Sequence, residues 1–379
     1  MVKKGYKQTE VGVIPEKWKD KKLGDVGKVC MCKRIFAHQT SNTGEVPFFK
    51  IGTFGKEADA YISKELYEDY KQRFSYPQEG DVLISAAGTL GRSVVFDGKD
   101  AYFQDSNIVW LDIDRNLLCN EYLYHYYKVI KWGVSEGSTI ARLYNGIICN
   151  THIALPDVEE QKQIATVLSE IDELISLTEK QISKQKAIKQ GTMQELLTGK
   201  CRLPGFSGEW ETVPLRNALT VGHGMPQHDV ESPIGKYPIL ATGGEIGKAT
   251  EFLWNEPSVL IGRKGTINKP QYLATPFWSI DTLFYTKINE GYYPKFLYFV
   301  FCQIDWLSYN EASGVPSLSA RTIENIEVQM PEHAEQVAIA ELLSGLDCEI
   351  DVLEQKLTKY RQVKQGMMQQ LLTGKVRLV

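Results

Sequence analysis

The chain has 379 residues, 43% of them apolar, enough for two or three domains with buried cores. Its 43 Lys and Arg against 47 Asp and Glu give a formal charge of −4, so global charge neither supports nor excludes a nucleic-acid partner; any such affinity has to come from local patches. No stretch approaches the roughly 18 uninterrupted apolar residues of a membrane span, the polar, basic amino terminus lacks the apolar core of a secretory signal, and the seven cysteines show no C-x-x-C spacing. The expectation is a cytoplasmic chain with reduced thiols, no disulfide framework and no zinc site.

In chain order, the opening is locally basic: ten Lys or Arg against four Asp or Glu in the first 34 residues. "GDVLISAAG" and "NIVWLDI" are short β-branched or aromatic runs bounded by Gly, Asp or Asn, and predict strands. "NEYLYHYYKVIKW" predicts an aromatic-rich helix whose stripe faces a core. At Pro156 the pattern changes. Ile164, Leu168, Ile171, Ile175, Thr178 and Ile182 follow a 4,3,4,3 spacing, the stripe of a long helix that wants a partner helix. Pro156 blocks helix upstream, Asp157 with Glu160 has the form of a capping box, and Gly199 sits where a C′ glycine would end the helix. Beyond residue 203 the mixed pattern returns, with strands at "PSVLIGRKG" and "TLFYTKI", a helix at "YYPKFLYFVFCQIDWL" and a glycine turn at "TGGEIGKAT". A second long helix follows, with Ile339, Leu343, Leu346, Ile350, Leu353, Leu357 and Tyr360 as its stripe and Gly374 as its stop. About 40 residues at 1.5 Å each make a rod on the order of 60 Å.

The two helices are copies. A shift of 175 positions aligns Pro156 to Leu203 with Pro331 to Leu378 without a gap, roughly half of the residues being identical. A weaker echo relates "EKWKDKKLGDV" around Trp18 to "GEWETVPLRNA" around Trp210. The chain therefore reads as α+β with two tandem halves: globular mixed α/β parts at 1–153 and 204–329, and shared long-helix regions at 154–203 and 330–379. Matching stripes predict an antiparallel coiled coil with pseudo-two-fold symmetry. Gly191 and Gly366 cost about 1 kcal/mol each inside a helix, a cost that close backbone approach at a packing or partner interface would offset.

Catalytic motifs fail on inspection. "TGGEIGKAT" lacks a phosphate loop's glycine spacing, since Thr242 lies five before Gly247, and lacks its hydroxyl, since Ala249 follows Lys248. Pro156, Asp157, Glu160 and Lys162 imitate nuclease pieces, but all lie within seven residues at a helix start and the second copy has Glu332 and Val337 instead. His223 and His228, near Asp229, share no helical face and read as loop histidines, with no metal site. Neither the tetrad with which amino-methyltransferases grip a flipped base nor a glycine-rich S-adenosylmethionine loop is visible. The pattern is that of a reader that delegates chemistry, and three classes stay open: a DNA-reading scaffold, a self-contained endonuclease or methyltransferase, and a helical protein-interaction scaffold.

The duplicated "EQ...IA..LS..D" and "LLTGK.RL" phrases, each after a variable globular part, resemble the DNA-specificity (S) subunits of type I restriction-modification systems, and "TEVGVIPEKW" and "GFSGEW" resemble the starts of that family's target-recognition domains. The resemblance covers the whole chain. It implies two target-recognition domains that each read half of a bipartite, asymmetric double-stranded DNA site, with the paired helices as a spacer. It also implies two methyltransferase (M) subunits, which carry S-adenosylmethionine while this chain holds no cofactor, and restriction (R) subunits. Phosphate contacts need Lys, Arg or loop amides, and base readout favours Arg, Asn and Gln. The candidate DNA-binding residues are Lys33, Arg34, Gln39, Asn42 and Arg92 in the first half, and His223, Gln227, Arg263, Lys264, Asn268 and Lys269 in the second.

Overall fold

The computed structural model describes residues 2–133 and 142–378. They fall into two compact units, Met1–Thr178 with Lys356–Val379, and Glu179–Gln355, so the division falls within both long helices. These units cut across the four segments read from the sequence, because each globular part takes the start of one long helix and the end of the other into its core.

In the first unit a four-stranded antiparallel sheet runs in the order Gly27–Cys30, Ile108–Ile113, Val82–Ser85, Ser93–Val95. Alternation along the strands separates two cores. Val82, Ile84, Val109 and Leu111 join Tyr122, Leu123 and Tyr126 of the helix Asn120–Tyr127. Leu83, Ile108 and Trp110 join Phe48, Phe54, Tyr67 and Tyr102. Burial of both faces is why "VLIS" carries no polar alternation. A small sheet, Tyr61–Ile62, Val46–Phe49, Tyr102–Phe103, covers the second core, its last pair parallel.

The second unit repeats this frame. Its sheet order is Leu219–His223, Leu283–Ile288, Ser258–Gly262, Gln271–Leu273. Val259, Ile261 and Phe284 pack with Phe296, Leu297 and Val300 of the helix Pro294–Gln303, whereas Leu260, Leu283 and Tyr285 pack with Phe277. Two expectations are corrected here. Only part of "TGGEIGKAT" is a turn, since Gly244–Ala249 is a strand paired with Tyr237–Ala241. His223 is the last residue of a strand, opposite Phe284, and not a loop histidine.

In each unit a strand from the start of the globular part pairs with its last strand: Lys19–Lys22, which follows a short hairpin of Tyr6–Thr9 and Gly12–Pro15, with His152–Leu155, and Glu211–Pro214 with Glu327–Met330. Each long helix leaves directly from such a pair. The helices are Val158–Leu196 and His333–Leu371, 39 residues each. The Asp157 side chain accepts from the Glu160 amide at 2.9 Å, and Gly199 and Gly374 close the helices at φ +68 and +67.

Ion pairs give the helix directions. In the first unit Lys364 pairs with Asp172 and Arg377 with Glu160; in the second Lys186 pairs with Glu354 at 2.7 Å and Lys189 with Asp347 at 2.5 Å. Within each unit the partner falls as the residue number rises, so the segments are antiparallel. Of the stripe residues, Ile164, Leu168, Ile171, Ile182, Ile339, Leu343, Ile350 and Leu357 are buried, while Ile175, Leu346 and Leu353 are half-buried. Ile164 and Leu168 pack in the first unit's core with Leu371 and Leu372, and Ile339 and Leu343 in the second's with Met193, Leu196 and Leu197. The stripes thus serve the globular cores as well as the helix pair. Gly191 and Gly366 face open space, so among the described residues no close backbone approach offsets their cost.

Candidate nucleic-acid interface

Because the sheet is antiparallel, the loops after Cys30 and Ser85 and the loop before Ile108 lie at one end of it. The turn Gln104–Asn107 ties that end together. The Gln104 side chain accepts from the Ile51 amide at 2.9 Å, Arg34 Nε lies 2.9 Å from Asp105 Oδ2, and the Asn107 carbonyl accepts from the Ala86 amide at 2.7 Å. Arg142 donates from Nη2 to Ser106 Oγ at 2.8 Å and to its carbonyl at 3.1 Å. Arg92 donates to the Phe54 carbonyl at 2.9 Å, which ties the loop after Ser85 to the one around residue 54. Lys33 lies over the Phe74 ring at 5.0 Å. Its neighbour Cys32 is buried, and burial pushes the thiol up to about 12, so it is a core group and not a nucleophile.

Of the first-half candidates, Lys33, Arg34 and Arg92 belong to these loops. Gln39 is committed to capping, its side chain accepting from the Phe36 amide at 2.9 Å. Asn42 is exposed beside Ser41, whose backbone pairs with Tyr61 at the edge of the small sheet. Sequence reasoning missed Lys50, Lys56 and Arg142, and with them exposed Phe36 and Tyr144. A signal for Arg142 existed: the 175-position shift that matches the long helices also matches Leu143 with Leu318. The Leu143 amide donates to the Ala86 carbonyl and that of Leu318 to the Arg263 carbonyl. Among the described residues, the first unit's loops at this end thus carry Lys33, Arg34, Lys50, Lys56, Arg92 and Arg142 against Glu57, Asp59 and Asp105, an excess of positive charge.

In the second unit the same frame carries other side chains. The Arg263 amide donates to the Thr282 carbonyl at 2.8 Å, and Lys264 bridges Ser317. Asn268 and Lys269 are exposed on the loop anchored by buried Ile267. His223 sets its ring edge-on to Phe284 at 5.0 Å. Half-buried Gln227 accepts from the Val230 and Glu231 amides through its main-chain carbonyl. A Cβ at Gly224 would meet the Ile280 carbonyl oxygen at 1.9 Å, so the glycine lets two loops touch. Arg263, Lys264 and Lys269 are balanced by Asp229, Asp281 and Glu311, and this end is not basic.

At the opposite end of each sheet a buried clasp fixes the unit to the helices. Glu160, fully buried, accepts from Trp18 Nε1 at 2.9 Å and from Arg377 Nη2 at 2.8 Å. Glu335, equally buried, accepts from Trp210 Nε1 at 3.1 Å and from Arg202 Nε and Nη2 at 2.7 and 2.6 Å. The capping-box reading of Glu160 is therefore half right: Asp157 caps, but the Glu160 side chain is spent on the clasp. Beside it Gln161 accepts from the Cys119 amide at 2.9 Å, and its counterpart Gln336 from the Tyr293 amide at 2.8 Å. Among the described residues no group of three or more His, Cys, Asp or Glu is placed to hold a metal ion.

The family model for the type I restriction modification DNA specificity domain matches twice, at residues 15–186 and 207–360. A Haemophilus influenzae protein designated provisionally as a type I restriction enzyme specificity subunit is 57% identical over 158 residues, a match that spans 41% of either chain. A Methanocaldococcus jannaschii protein, with the provisional designation of MjaX specificity subunit, is 24% identical over 98% of this chain and 97% of its own. In fold, the chain is similar to the type I restriction-modification S subunit of M. genitalium, with a TM-score of 0.65 at 15% identity over 93% of this chain and 96% of that one. With the family's domain matched in each half and covering most of its length, the chain belongs to the type I restriction-modification DNA specificity family.

Proposed function

We propose that the chain is a non-catalytic DNA-reading subunit in which the loop end of each unit reads one half of a bipartite, asymmetric site and the long helices act as the spacer. The observation that carries this reading is one backbone frame used twice with unlike loop residues. The positions of Arg142 and Tyr144 in the first unit are those of Ser317 and Ser319 in the second. A repeated frame with different reading groups suits two different half-sites.

The helices support the partner part of the reading. In the first unit Leu177 and Val363 are exposed and Gly366 is open; in the second, Val352, Ile188 and Gly191 hold the matching positions and are likewise exposed or open. The same apolar, glycine-containing face offered twice suits two copies of one methyltransferase subunit, which would bring S-adenosylmethionine and the adenine chemistry, with restriction subunits joining to cleave. The test is selection from randomised duplexes by the chain bound to its methyltransferase partner. Enrichment of two defined half-sites at a fixed gap is the expected result; enrichment of no sequence would overturn the reading.

A further inference from the structure

The turn Gln104–Asn107 is fastened to four other segments, at Arg34, Ile51, Ala86 and Arg142, and it holds two guanidinium groups in different ways. Arg34 is tied through Nε alone to the Asp105 carboxylate, and its side chain is 61% exposed. Its two terminal nitrogens have no partner among the described residues. Arg142 is tied through Nη2 to neutral Ser106, whose φ of 49 makes it the one non-glycine residue with positive φ among those described. A serine in that region costs of order 1 kcal/mol and persists because its surroundings hold it there.

Resting on the reading that this unit binds DNA, we propose that Arg34 recognises a guanine in its half-site and that Asp105 is the residue that positions it. A guanidinium fixed through Nε presents its two terminal amino groups as a rigid fork, the donor geometry that meets the O6 and N7 acceptors of guanine. The adjacent carboxylate also neutralises the group's charge. That weakens attraction to a phosphate and leaves hydrogen bonding to a neutral base edge intact. Arg142, paired with an uncharged hydroxyl and carbonyl, keeps its full charge and is the phosphate contact of the pair. In the second unit the position of Arg142 is Ser317 and that of Arg34, matched through Trp18 and Trp210, is Pro226, so this device belongs to one half-site only.

The experiment is selection from randomised duplexes with the complex of this chain and its methyltransferase partner, repeated for Arg34→Lys, Asp105→Asn and Arg142→Gln, with affinity measured against salt. In the wild type one position of one half-site should demand guanine. Arg34→Lys should weaken that demand about tenfold or more, and Asp105→Asn should blur the same position. The other half-site, an internal control for folding, should be unchanged in both. Arg142→Gln should lower affinity for all sequences alike and reduce the salt slope by about one. Unchanged base preference in Arg34→Lys, or a uniform loss with a shallower salt slope, would overturn this inference alone. A wild-type complex that enriched no sequence would overturn the DNA-reading function and this inference with it.

Discussion

Arg377 and Arg202 each hold a carboxylate that water cannot reach. Removing half-buried Arg377 leaves the buried Glu160 charge uncompensated, at a cost of about 2 kcal/mol, less than for a fully buried pair. Arg377→Ala, which strands Glu160 with Trp18 as its remaining donor, should therefore lower the unfolding free energy by that order in a denaturant titration, and a change under about 1 kcal/mol would contradict the clasp. His125 gives a pH dependence. It is buried, and burial first, with Lys128 and Lys364 adding and Asp172 opposing, holds its pKa at about 4 against the usual 6.5. The unfolded chain thus binds the extra proton between those values, so stability is lost as pH falls from about 6.5 to about 4. By pH 5 the loss is on the order of 2 kcal/mol, and His125→Gln should remove that part of the pH dependence in melts followed from pH 7.5 to 5. None of these residue roles was legible in the sequence. A glutamate three after an aspartate reads as a cap, and only the fold brings Trp18 and Arg377 to it from the two ends of the chain.

The elements were legible where periodicity is strong. The 4,3,4,3 stripes, Pro156 and the two stop glycines define both long helices, and the four apolar strand runs appear as the central strands of the two sheets. The small sheets were not, because Val46–Phe49 and Tyr61–Ile62 are too short to show alternation and Gly244–Ala249 is glycine-rich. Gly191 and Gly366 lie in regular helix with open space around them. Replacing each with alanine should stabilise the free chain by up to about 1 kcal/mol, seen as a raised denaturation midpoint. Leu177→Glu with Val352→Glu should leave stability within about 0.5 kcal/mol, as exposed positions do, and should abolish capture of the methyltransferase partner in a co-purification assay. Intact capture would remove this face from the account.

For the molecule as a whole, a net charge of −4 with one basic loop end predicts weak, steeply salt-dependent binding of DNA by the free chain, and a gain when partners add their own phosphate contacts. Each residue of helix is worth about 1.5 Å and 100°. Removing four residues from both long helices should therefore alter the preferred gap between half-sites and leave the half-site sequences alone. The duplicated architecture could be read from a single 175-position shift, whereas the proposed reading surface could not, because the loop end that would form it is assembled from five loops that the chain separates by up to about a hundred residues. The most direct measurement is the adenine methylation pattern of the host genome with and without this gene. A bipartite, gapped methyladenine motif that disappears with the gene is the expected result, and a pattern unchanged by its loss would contradict a DNA-reading role for this chain.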